Sequence, residues 1–315
     1  MPKIYFIIVT YNAMKWAEKC FSSLGQSSIP VHCIVVDNGS TDGTQKYITT
    51  NFPEIELIQS KENVGFGKAN NIGIENAYRE GADFFYLMNQ DAWIYEDSLE
   101  KLLDVYNSHS NQKEIGILSP MHLDGTEKRL DIFFERYLAR NTPINRIFSD
   151  AFRNDLKKNY EIDFVNAAHW FLPKKTIEEI GGFNPYFFHY SEDYEYVQRV
   201  SFFEKKIMIC AQSSVVHDGR QDFNKTAHIN ALRVQREQRY LNPAYDFNKG
   251  IMNREFIPKI IKQMLMLKFS AAYRTWSEYR YLCSKFNEIM GSRSVLKKVG
   301  PSFLSITPIN TTVNN

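Results

Sequence analysis

Apolar runs and amphipathic stretches alternate along the first hundred residues of this 315-residue chain. Because a strand covered on both faces needs no polar alternation, the mostly apolar runs predict buried strands at Ile4–Val9, Val31–Val36, Ile55–Ile58 and Phe84–Met88. The stretches between them predict helices: one from a cap at Asn12 to about Leu24, one ending near Asn51, one reaching Arg79, and Ser98–Tyr106. Repeated strand–helix units predict an α/β fold with a parallel, doubly wound sheet and right-handed crossovers.

The pattern changes after this first half. Residues 124–160 are polar, charged and aromatic without a clear period, which predicts an insertion or lid. Regular structure is predicted to resume in the strand Phe164–Leu172, the helices Lys174–Ile180 and Ser191–Phe203, and the short strands Ile207–Cys210 and Ser213–Val216. Ser191 is the expected cap of its helix, and Gly181-Gly182 the expected stop of the helix before it.

The C-terminal region differs in charge from the rest of the chain. Residues 224–315 carry 15 Lys or Arg and 5 Asp or Glu, a net charge of +10, which leaves −8 for residues 1–223 because the total is +2. We predict helices from about Thr226, with an amphipathic basic stretch over Ile257–Lys268, and disorder in the last dozen residues. Such a region favours peripheral contact with a membrane surface. The open alternative is a helical appendage packed on the catalytic domain or on a second subunit, as in a homodimer.

Composition and cysteine spacing restrict the class of protein and its compartment. A length of 315 residues suits one large α/β domain with an appendage, or two domains, and a hydrophobic content of 43% is ample for a packed core. Cys20, Cys33, Cys210 and Cys283 form no CxxC pair, which indicates thiols in a reducing compartment. The run Ile4–Val9 is too short for a signal peptide or a membrane span. We therefore expect a cytoplasmic protein that can lie against the inner face of the cell membrane.

Polar residues follow two of the predicted strands. Asn89-Gln90-Asp91 ends the fourth strand, in the crevice where open α/β sheets bind ligands. Carboxylate oxygens suit Mg²⁺ or Mn²⁺, which usually hold substrate phosphates. Asp37 ends the second strand, where it could accept a hydrogen bond from a pyrimidine N3–H. An ordinary turn or cap is the alternative at both places.

Three further segments carry candidate chemistry. Asn63–Asn70 contains Gly-x-Gly but lacks the third Gly of a dinucleotide fingerprint, so its glycines suggest close approach to a ligand and Lys68 could face a diphosphate. Glu192-Asp193 opens a helix, where acids either complement the helix dipole or act as a general base. His217 follows a strand in a polar turn, where a ligand could sit, although a lone His is usually structural.

Together these segments resemble glycosyltransferase family 2, whose members have the GT-A fold. The matching motifs occur in the family's order over residues 4–217: Val9–Asn12, Val35–Thr44, Glu62–Gly73, Met88–Asp91, Gly181–Phe183, Ser191–Asp193 and Val216–His217. The Asn-Val-Gly-Phe-Gly and Asn-Gln-Asp segments are most similar to bacterial rhamnosyltransferase-like members that build surface polysaccharides.

The resemblance implies a role for each matching residue. Asp193 would be the catalytic base with Glu192 beside it, and Asp91 with His217 would hold a divalent metal, Mg²⁺ or Mn²⁺. Trp170 would face the acceptor, with a core Trp as the alternative. The donor and its nucleotide would contact Thr10, Tyr11, Asn12, Asp37, Asn63, Gly65, Lys68, Asn89 and Gln90. Asn89 replaces the first Asp of the family's Asp-x-Asp signature, which predicts weaker metal affinity or greater dependence on bound nucleotide.

The resemblance predicts an inverting glycosyltransferase that moves a sugar from a UDP- or dTDP-sugar to a hydroxyl of a glycan or lipid-linked acceptor. Its GT-A catalytic domain would span residues 1–223, with a nucleotide-sugar half at about 1–120 and an acceptor half at about 160–223, followed by the basic helical region 224–315. A nucleotidyltransferase is disfavoured because Thr10–Lys15 is not a Gly-rich basic loop. A non-catalytic carbohydrate-binding or scaffold protein stays open as the alternative. No nucleic-acid partner is expected.

Overall fold

The computed structural model describes residues 1–189, 191–219 and 228–307. These residues divide into two compact units, one formed by 1–219 with 299–307 and the other by 228–298. The first unit is built on a mixed sheet in the order β3-β2-β1-β4-β8-β6-β9-β5, with β7 paired to β9. The strands are β1 (Ile4–Thr10), β2 (His32–Asp37), β3 (Glu56–Gln59), β4 (Phe84–Asn89), β5 (Ala92–Ile94), β6 (Ile115–Leu123), β7 (Asn159–Ile162), β8 (His169–Pro173) and β9 (Lys206–His217).

The first four strands form the parallel sheet that the sequence predicts. β1 pairs in parallel with β2 and β4, and β2 with β3. The register sets Thr10 beside Asp37 and Val9 beside Asn89, so the polar strand ends meet at one edge of the sheet. Beyond β4 the sheet becomes mixed, because β8 runs antiparallel to both β4 and β6.

Helices cover both faces of this sheet. Alternate residues of one strand enter opposite cores: Ile7 and Phe85 pack on one side, and Ile8 and Tyr86 on the other. Both cores hold fully buried side chains, which explains the nearly continuous apolar runs of β1 and β4. The helices of this unit are α1 (Ala17–Gly25), α2 (Thr44–Asn51), α3 (Phe66–Arg79), α4 (Ser98–Ser108), α5 (Ile132–Arg140), α6 (Ile147–Phe152), α7 (Lys174–Ile180) and α8 (Glu192–Phe202).

Two predicted helix caps differ from the structure. The first helix begins at Ala17, because Asn12 has a left-handed backbone (φ 54°) and its Oδ1 accepts a hydrogen bond from the Thr41 amide instead. Ser191 does occupy the N-cap position of α8, but its side chain makes no capping bond and its φ is 87°. Asn12 follows β1 at the sheet edge where the polar strand ends meet.

The predicted insertion at 124–160 has regular structure of its own. It contains α5, α6 and the start of β7, and Phe134 and Leu138 bury the inner face of α5. The strand predicted from Phe164 starts only at His169. The two short strands predicted after residue 207 are one strand, β9, whose register against β6 shifts between Pro120 and Met121.

The C-terminal residues return to the first unit, which differs from the predicted division of the chain at residue 223. Ser302 O accepts from the Gly182 amide (2.9 Å), the Ser305 amide donates to Glu75 (2.8 Å), and Leu304 packs against the core. Disorder predicted from residue 304 is therefore wrong for 304–307, whereas 308–315 lie outside the described residues.

The second unit consists of α9 (His228–Leu241), α10 (Lys249–Leu265) and α11 (Phe269–Leu296). The start predicted near Thr226 lies outside the described residues. Tyr240, Phe256 and Leu282 are buried, and the buried Arg293 guanidinium donates to backbone carbonyls at the end of α9, including that of Asn242 (2.8 Å). Among the described helices, none combines the length and apolar character needed to cross a bilayer.

Candidate active site

Asp91 and His217 come together through the pairing of β5 with β9. Asp91 lies in the two-residue turn between β4 and β5, and Ala92 stands opposite His217 in the antiparallel ladder. The Asp218 amide donates to the Asp91 carbonyl (2.8 Å), which fixes the turn against the end of β9. Asp91 Oδ1 lies 3.7 Å from His217 Nε2, a separation that allows both atoms to bind one ion.

Asn89 adds a third possible ligand beside this pair. Its Nδ2 lies 3.4 Å from His217 Nε2, whereas its buried Oδ1 has no hydrogen-bond partner. A buried amide oxygen without a partner is costly, and a bound cation would satisfy it. The site therefore fits a divalent metal with few protein ligands. Within the described residues, no group of three or more His, Cys, Asp or Glu side chains could hold a metal, so substrate phosphates would have to complete the coordination.

Asp131 contacts the other side of the His217 ring. Its Oδ2 lies 3.4 Å from His217 Nδ1, and its Oδ1 accepts from the Phe133 and Phe134 amides as the N-cap of α5. The residue is 1% exposed. Sequence reasoning missed it because it falls in the segment without a period. An Asp directly before the apolar Ile132-Phe133-Phe134 was the available signal for a helix start.

Neighbouring charges decide the protonation of His217. Burial lowers its pKa, but the contact with Asp131 and the charges of Asp91, Asp131 and Asp218 outweigh burial and raise the pKa above the usual value. Negative charge thus accumulates around this ring. The same concentration of charge would attract a cation to Nε2 and Asp91.

Two buried histidines, His122 and His169, lie behind His217, and no sequence pattern pointed to them. His169 Nε2 lies 3.0 Å from the Val216 carbonyl and Nδ1 lies 3.0 Å from the Tyr86 hydroxyl. The His122 ring centroid is 5.1 Å from that of His169 and 6.4 Å from that of His217. Burial lowers the pKa of His169 to about 3 and that of His122 well below its usual value, so both are neutral.

Asp193 lies in the first turn of α8, where its Oδ1 accepts from the Tyr194 amide (2.8 Å). It is half-buried, and loss of hydration raises its pKa to about 6 despite that bond. Burial also raises the pKa of Tyr137, and the charges of Tyr194, Asp193 and Asp131 raise it further. Tyr137 therefore lies within electrostatic range of both carboxylates. Glu192 is 5% exposed.

Asp37 is committed to its own loop. Its buried carboxylate accepts from Thr10 Oγ1 (2.8 Å), the Ser40 amide (2.9 Å), Ser40 Oγ and Gln45 Nε2. Asp37 and Thr10 are both 0% exposed. The nucleobase of a donor could bond to this carboxylate only if Ser40 or Gln45 gave up its hydrogen bond. In this conformation Asp37 therefore shapes the loop after β2.

Tyr11 is held open to solvent by Gln90. Gln90 Oε1 accepts from the Tyr11 amide (2.7 Å) and Nε2 donates to the Tyr11 carbonyl (3.2 Å), while the Tyr11 side chain is 49% exposed. The Asn12 amide donates to Ser40 Oγ (2.9 Å). Tyr11 therefore lies at the sheet edge predicted for the nucleotide, and the Gln90 side chain bonds to the Tyr11 backbone there.

Asn63 joins two loops. Its Oδ1 accepts from Asn38 Nδ2 (2.8 Å) and from the Gly65 amide (2.9 Å), and Asn38 Oδ1 accepts from the Val64 amide (2.8 Å). The side chain of Asn63 therefore fixes the loop before α3 to the loop after β2, which supports the shape of the edge.

The close approach expected at the glycines is made by the protein itself. A Cβ on Gly65, whose φ is 90°, would lie 2.4 Å from the Phe188 carbonyl oxygen, and one on Gly67 would lie 2.9 Å from Phe183. Phe183 and Phe188 therefore pack where the sequence suggested a ligand. Lys68 is exposed at the start of α3.

Trp170 belongs to the core, which corrects its predicted contact with the acceptor. It is 0% exposed, and its Nε1 donates to the Val165 carbonyl (3.2 Å). The ring stacks on Phe183 and packs against Tyr196. Since Phe183 and Tyr196 pack against the fully buried ring, no face of the indole is open to a sugar.

Comparison with known proteins establishes the family. The model for glycosyl transferase family 2 matches residues 5–181, more than half of the chain. The chain belongs to this family, and the predictions of a GT-A fold and of a glycosyltransferase are confirmed.

Three relatives have names that refer to rhamnosyl transfer or to polysaccharide biosynthesis. The N-acetylglucosaminyl-diphospho-decaprenol L-rhamnosyltransferase of Mycobacterium tuberculosis is 25% identical over 215 residues, 62% of this chain and 69% of that protein. The dTDP-rhamnosyl transferase RfbF of Shigella flexneri is 33% identical over 122 residues, 38% and 39% of the two chains. The succinoglycan biosynthesis protein ExoO of Rhizobium meliloti is 28% identical over 142 residues, 44% of this chain and only 39% of its own length. The predicted similarity to rhamnosyltransferases is confirmed.

Solved structures share the fold. The mannosyltransferase PcManGT from Pyrobaculum calidifontis, in complex with GDP-Man and Mn²⁺, has a TM-score of 0.55 at 14% identity, covering 94% of this chain and 87% of its own. S. aureus TarS 1–349 also has a TM-score of 0.55 at 14% identity, covering 79% of this chain and 67% of its own.

Proposed function

We propose that this glycosyltransferase moves a sugar from a UDP- or dTDP-sugar to a hydroxyl of a glycan or lipid-linked acceptor, with inversion, using Asp193 as the base. The observation that carries the proposal is the position of Asp193. It is a half-buried carboxylate in the first turn of α8, and the ring of its neighbour Tyr194 stacks on Phe164, which Tyr137 also contacts. Asp131, His217 and Asp91 form a second group of polar side chains, in which Asp91 and His217 would face the donor diphosphate.

Asp193 would take the proton of the acceptor hydroxyl as its oxygen attacks the anomeric carbon. The bond from that carbon to the diphosphate oxygen breaks on the opposite face, and the nucleoside diphosphate leaves with the electron pair. One displacement inverts the anomeric centre, and no enzyme nucleophile is needed. A raised pKa suits this role, because a base is most effective when its pKa is near the working pH.

Asp91, His217 Nε2 and the Asn89 carbonyl oxygen would hold a divalent metal, Mg²⁺ or Mn²⁺. A bound ion would neutralise charge on the leaving diphosphate. Asp91 is the charged ligand of this set, His217 is neutral when it ligates, and Asn89 contributes a dipole. With only one charged ligand, affinity for the free ion should be low and should rise with the nucleotide diphosphate.

The donor and acceptor classes are proposed from the relatives. A dTDP-rhamnosyl transferase and a transferase named for a diphospho-decaprenol acceptor are among them. Bacterial surface polysaccharide synthesis is the proposed role. We propose a cytoplasmic location because all four cysteines are free thiols.

The test is transfer by Asp193→Asn. This substitution keeps the shape and removes the base, so turnover with a nucleotide-sugar panel should fall by about 10²–10⁴-fold while donor affinity is retained. Glu100→Gln is the matched control, because Glu100 is an exposed acid in the first turn of α4. This substitution should leave turnover unchanged. Wild-type turnover in the Asn variant would mean that another group is the base.

A further inference from the structure

Large apolar side chains are exposed at one end of the second unit. We call residues 257–276 the α10–α11 tip, because they comprise the end of α10, the turn and the start of α11. Leu265 is 79% exposed and Leu267 75%. Nine large apolar residues of the tip are exposed: Ile257, Ile261, Met264, Leu265, Met266, Leu267, Phe269, Tyr273 and Trp276. Soluble surfaces rarely expose so many together, and such patches mark interaction sites.

The exposed apolar residues on each helix recur with the helical period, and they lie on a different face from the buried residues. On α10, Ile257, Ile261 and Leu265 lie four residues apart, whereas Met252 and Phe256 are buried within the unit. On α11 the exposed positions 269, 273 and 276 also share one side of the helix. Each helix therefore packs with one face and presents a second apolar face to solvent.

The charge of the tip has one sign. Between Glu255 and Glu278 the chain carries four basic residues and no acidic residue. The basic residues are Lys259, Lys262, Lys268 and Arg274, and all four are exposed. Among the described residues, none of the four forms an ion pair, whereas Arg236 and Arg239 in the same unit pair with Glu255. Apolar side chains within an unpaired basic surface match the interface of an anionic bilayer.

The turn between α10 and α11 has a leucine in a backbone conformation that glycine adopts with less strain. Leu267 has φ 56°, and its amide donates to the Met264 carbonyl (2.9 Å). A left-handed backbone with a branched side chain is uncommon and strained. Despite this strain, the leucine at the apex of the tip is 75% exposed.

We propose that the α10–α11 tip docks on an anionic lipid surface, with its apolar side chains inserted below the headgroups and its four basic side chains on the phosphates. A second copy of the chain fits less well, because a symmetric contact through this surface would oppose four positive charges to four others. The inference concerns the second unit and does not depend on the proposed donor, acceptor or base.

The test is co-sedimentation of the full chain with vesicles. Phosphatidylglycerol mixed equally with phosphatidylcholine should bind the protein, salt should weaken the binding, and pure phosphatidylcholine should bind it at least about tenfold more weakly. Leu265→Ser/Leu267→Gly should lower binding at least about tenfold. The glycine relieves the backbone strain at position 267, so the variant should remain folded. Loss of binding with an unchanged melting temperature then cannot come from unfolding.

Two controls separate the tip from general effects. Phe152→Ser removes a 91% exposed apolar side chain of the first unit and should bind vesicles like the wild type. Lys262→Glu/Lys268→Glu should weaken binding at least about tenfold, whereas the equally charged pair Lys249→Glu/Lys297→Glu, outside the tip, should have a smaller effect.

Light scattering on the wild type and the variants without vesicles gives their oligomeric state and completes the test. A protein that binds anionic vesicles only with an intact tip supports the proposal. It is overturned if the protein does not sediment with anionic vesicles at low salt, or if the tip variants bind like the wild type. It is equally overturned if the protein is a dimer that the tip variants convert to a monomer without any vesicle binding.

Discussion

His217 Nδ1 lies 3.4 Å from a carboxylate oxygen of Asp131. This contact turns the opposite ring nitrogen, Nε2, towards Asp91 and Asn89. A carboxylate behind a ligating imidazole fixes the ring and raises its basicity, and outer partners of this kind matter nearly as much as the ligands. Asp131 thus acts through His217, as a positioning residue for the proposed metal site.

Asp131→Asn should weaken Mn²⁺ binding in the presence of UDP or dTDP by about 10–100-fold. The asparagine keeps an oxygen for the α5 cap but loses the charge that faces His217, so the melting temperature should change little. Isothermal titration of Mn²⁺ into the nucleotide-saturated protein measures the affinity.

Asp97→Asn serves as the charge-matched control for this measurement. Asp97 precedes α4, is exposed and pairs with Lys101. It should leave Mn²⁺ affinity unchanged. If Asp131→Asn retains wild-type affinity, the contact with His217 is structural only.

The pKa of Asp193 predicts the acid limb of the rate profile. A carboxylate with a pKa raised to about 6 is protonated below that pH and cannot accept the hydroxyl proton. At saturating metal, kcat/KM should fall tenfold per pH unit below about pH 6. A limb centred near pH 4 would indicate an ordinary exposed carboxylate.

Asp193→Asn is the control for this limb, and unfolding gives an independent readout. Because the folded-state pKa is raised from 3.8, the charged carboxylate destabilises the fold, and this cost develops as pH rises through the window from about 4 to 6. The variant should lose the acid limb from its residual rate. At pH 7–8 it should be more stable than the wild type by on the order of 1–3 kcal/mol, and near pH 3 equally stable.

Trp170→Ala should destabilise the fold by about 3–5 kcal/mol, because it opens a cavity between the sheet and the Phe183 ring. Trp170→Phe should cost less, since it fills most of the space. Denaturant unfolding measures both. A Trp170→Ala protein with wild-type stability and a raised acceptor KM would restore the acceptor role that burial argues against.

The strand ends were predictable because each followed a continuous apolar run. Parallel pairing then brings such ends to one edge, so Asp37, Asn89 and Asp91 could be placed from the sequence. The contacts of His217 with Asp131 and His169 could not be predicted, because they depend on the antiparallel half of the sheet. In the sequence, His169 is part of an apolar strand and has no sign of a polar role. Asp131 caps a short helix with only two buried residues, too few to show a helical period in the sequence.

The Gly-rich loop shows a different limit. Gly65 indicates close approach, but the pattern does not say whether a ligand or the chain itself approaches. Phe188, 123 residues later, fills that place. Long-range contacts of this kind are set by the packing of whole elements, and no local signal encodes them.

The most direct test of the account is Mn²⁺ binding by the wild type and by Asp91→Asn, each with and without UDP or dTDP. We predict weak binding without nucleotide, tighter binding with it, and loss of that nucleotide-dependent gain in the variant, which keeps the shape of the turn but has no charged ligand. Equal Mn²⁺ affinity in the two proteins at saturating nucleotide would contradict a metal site at Asp91 and His217.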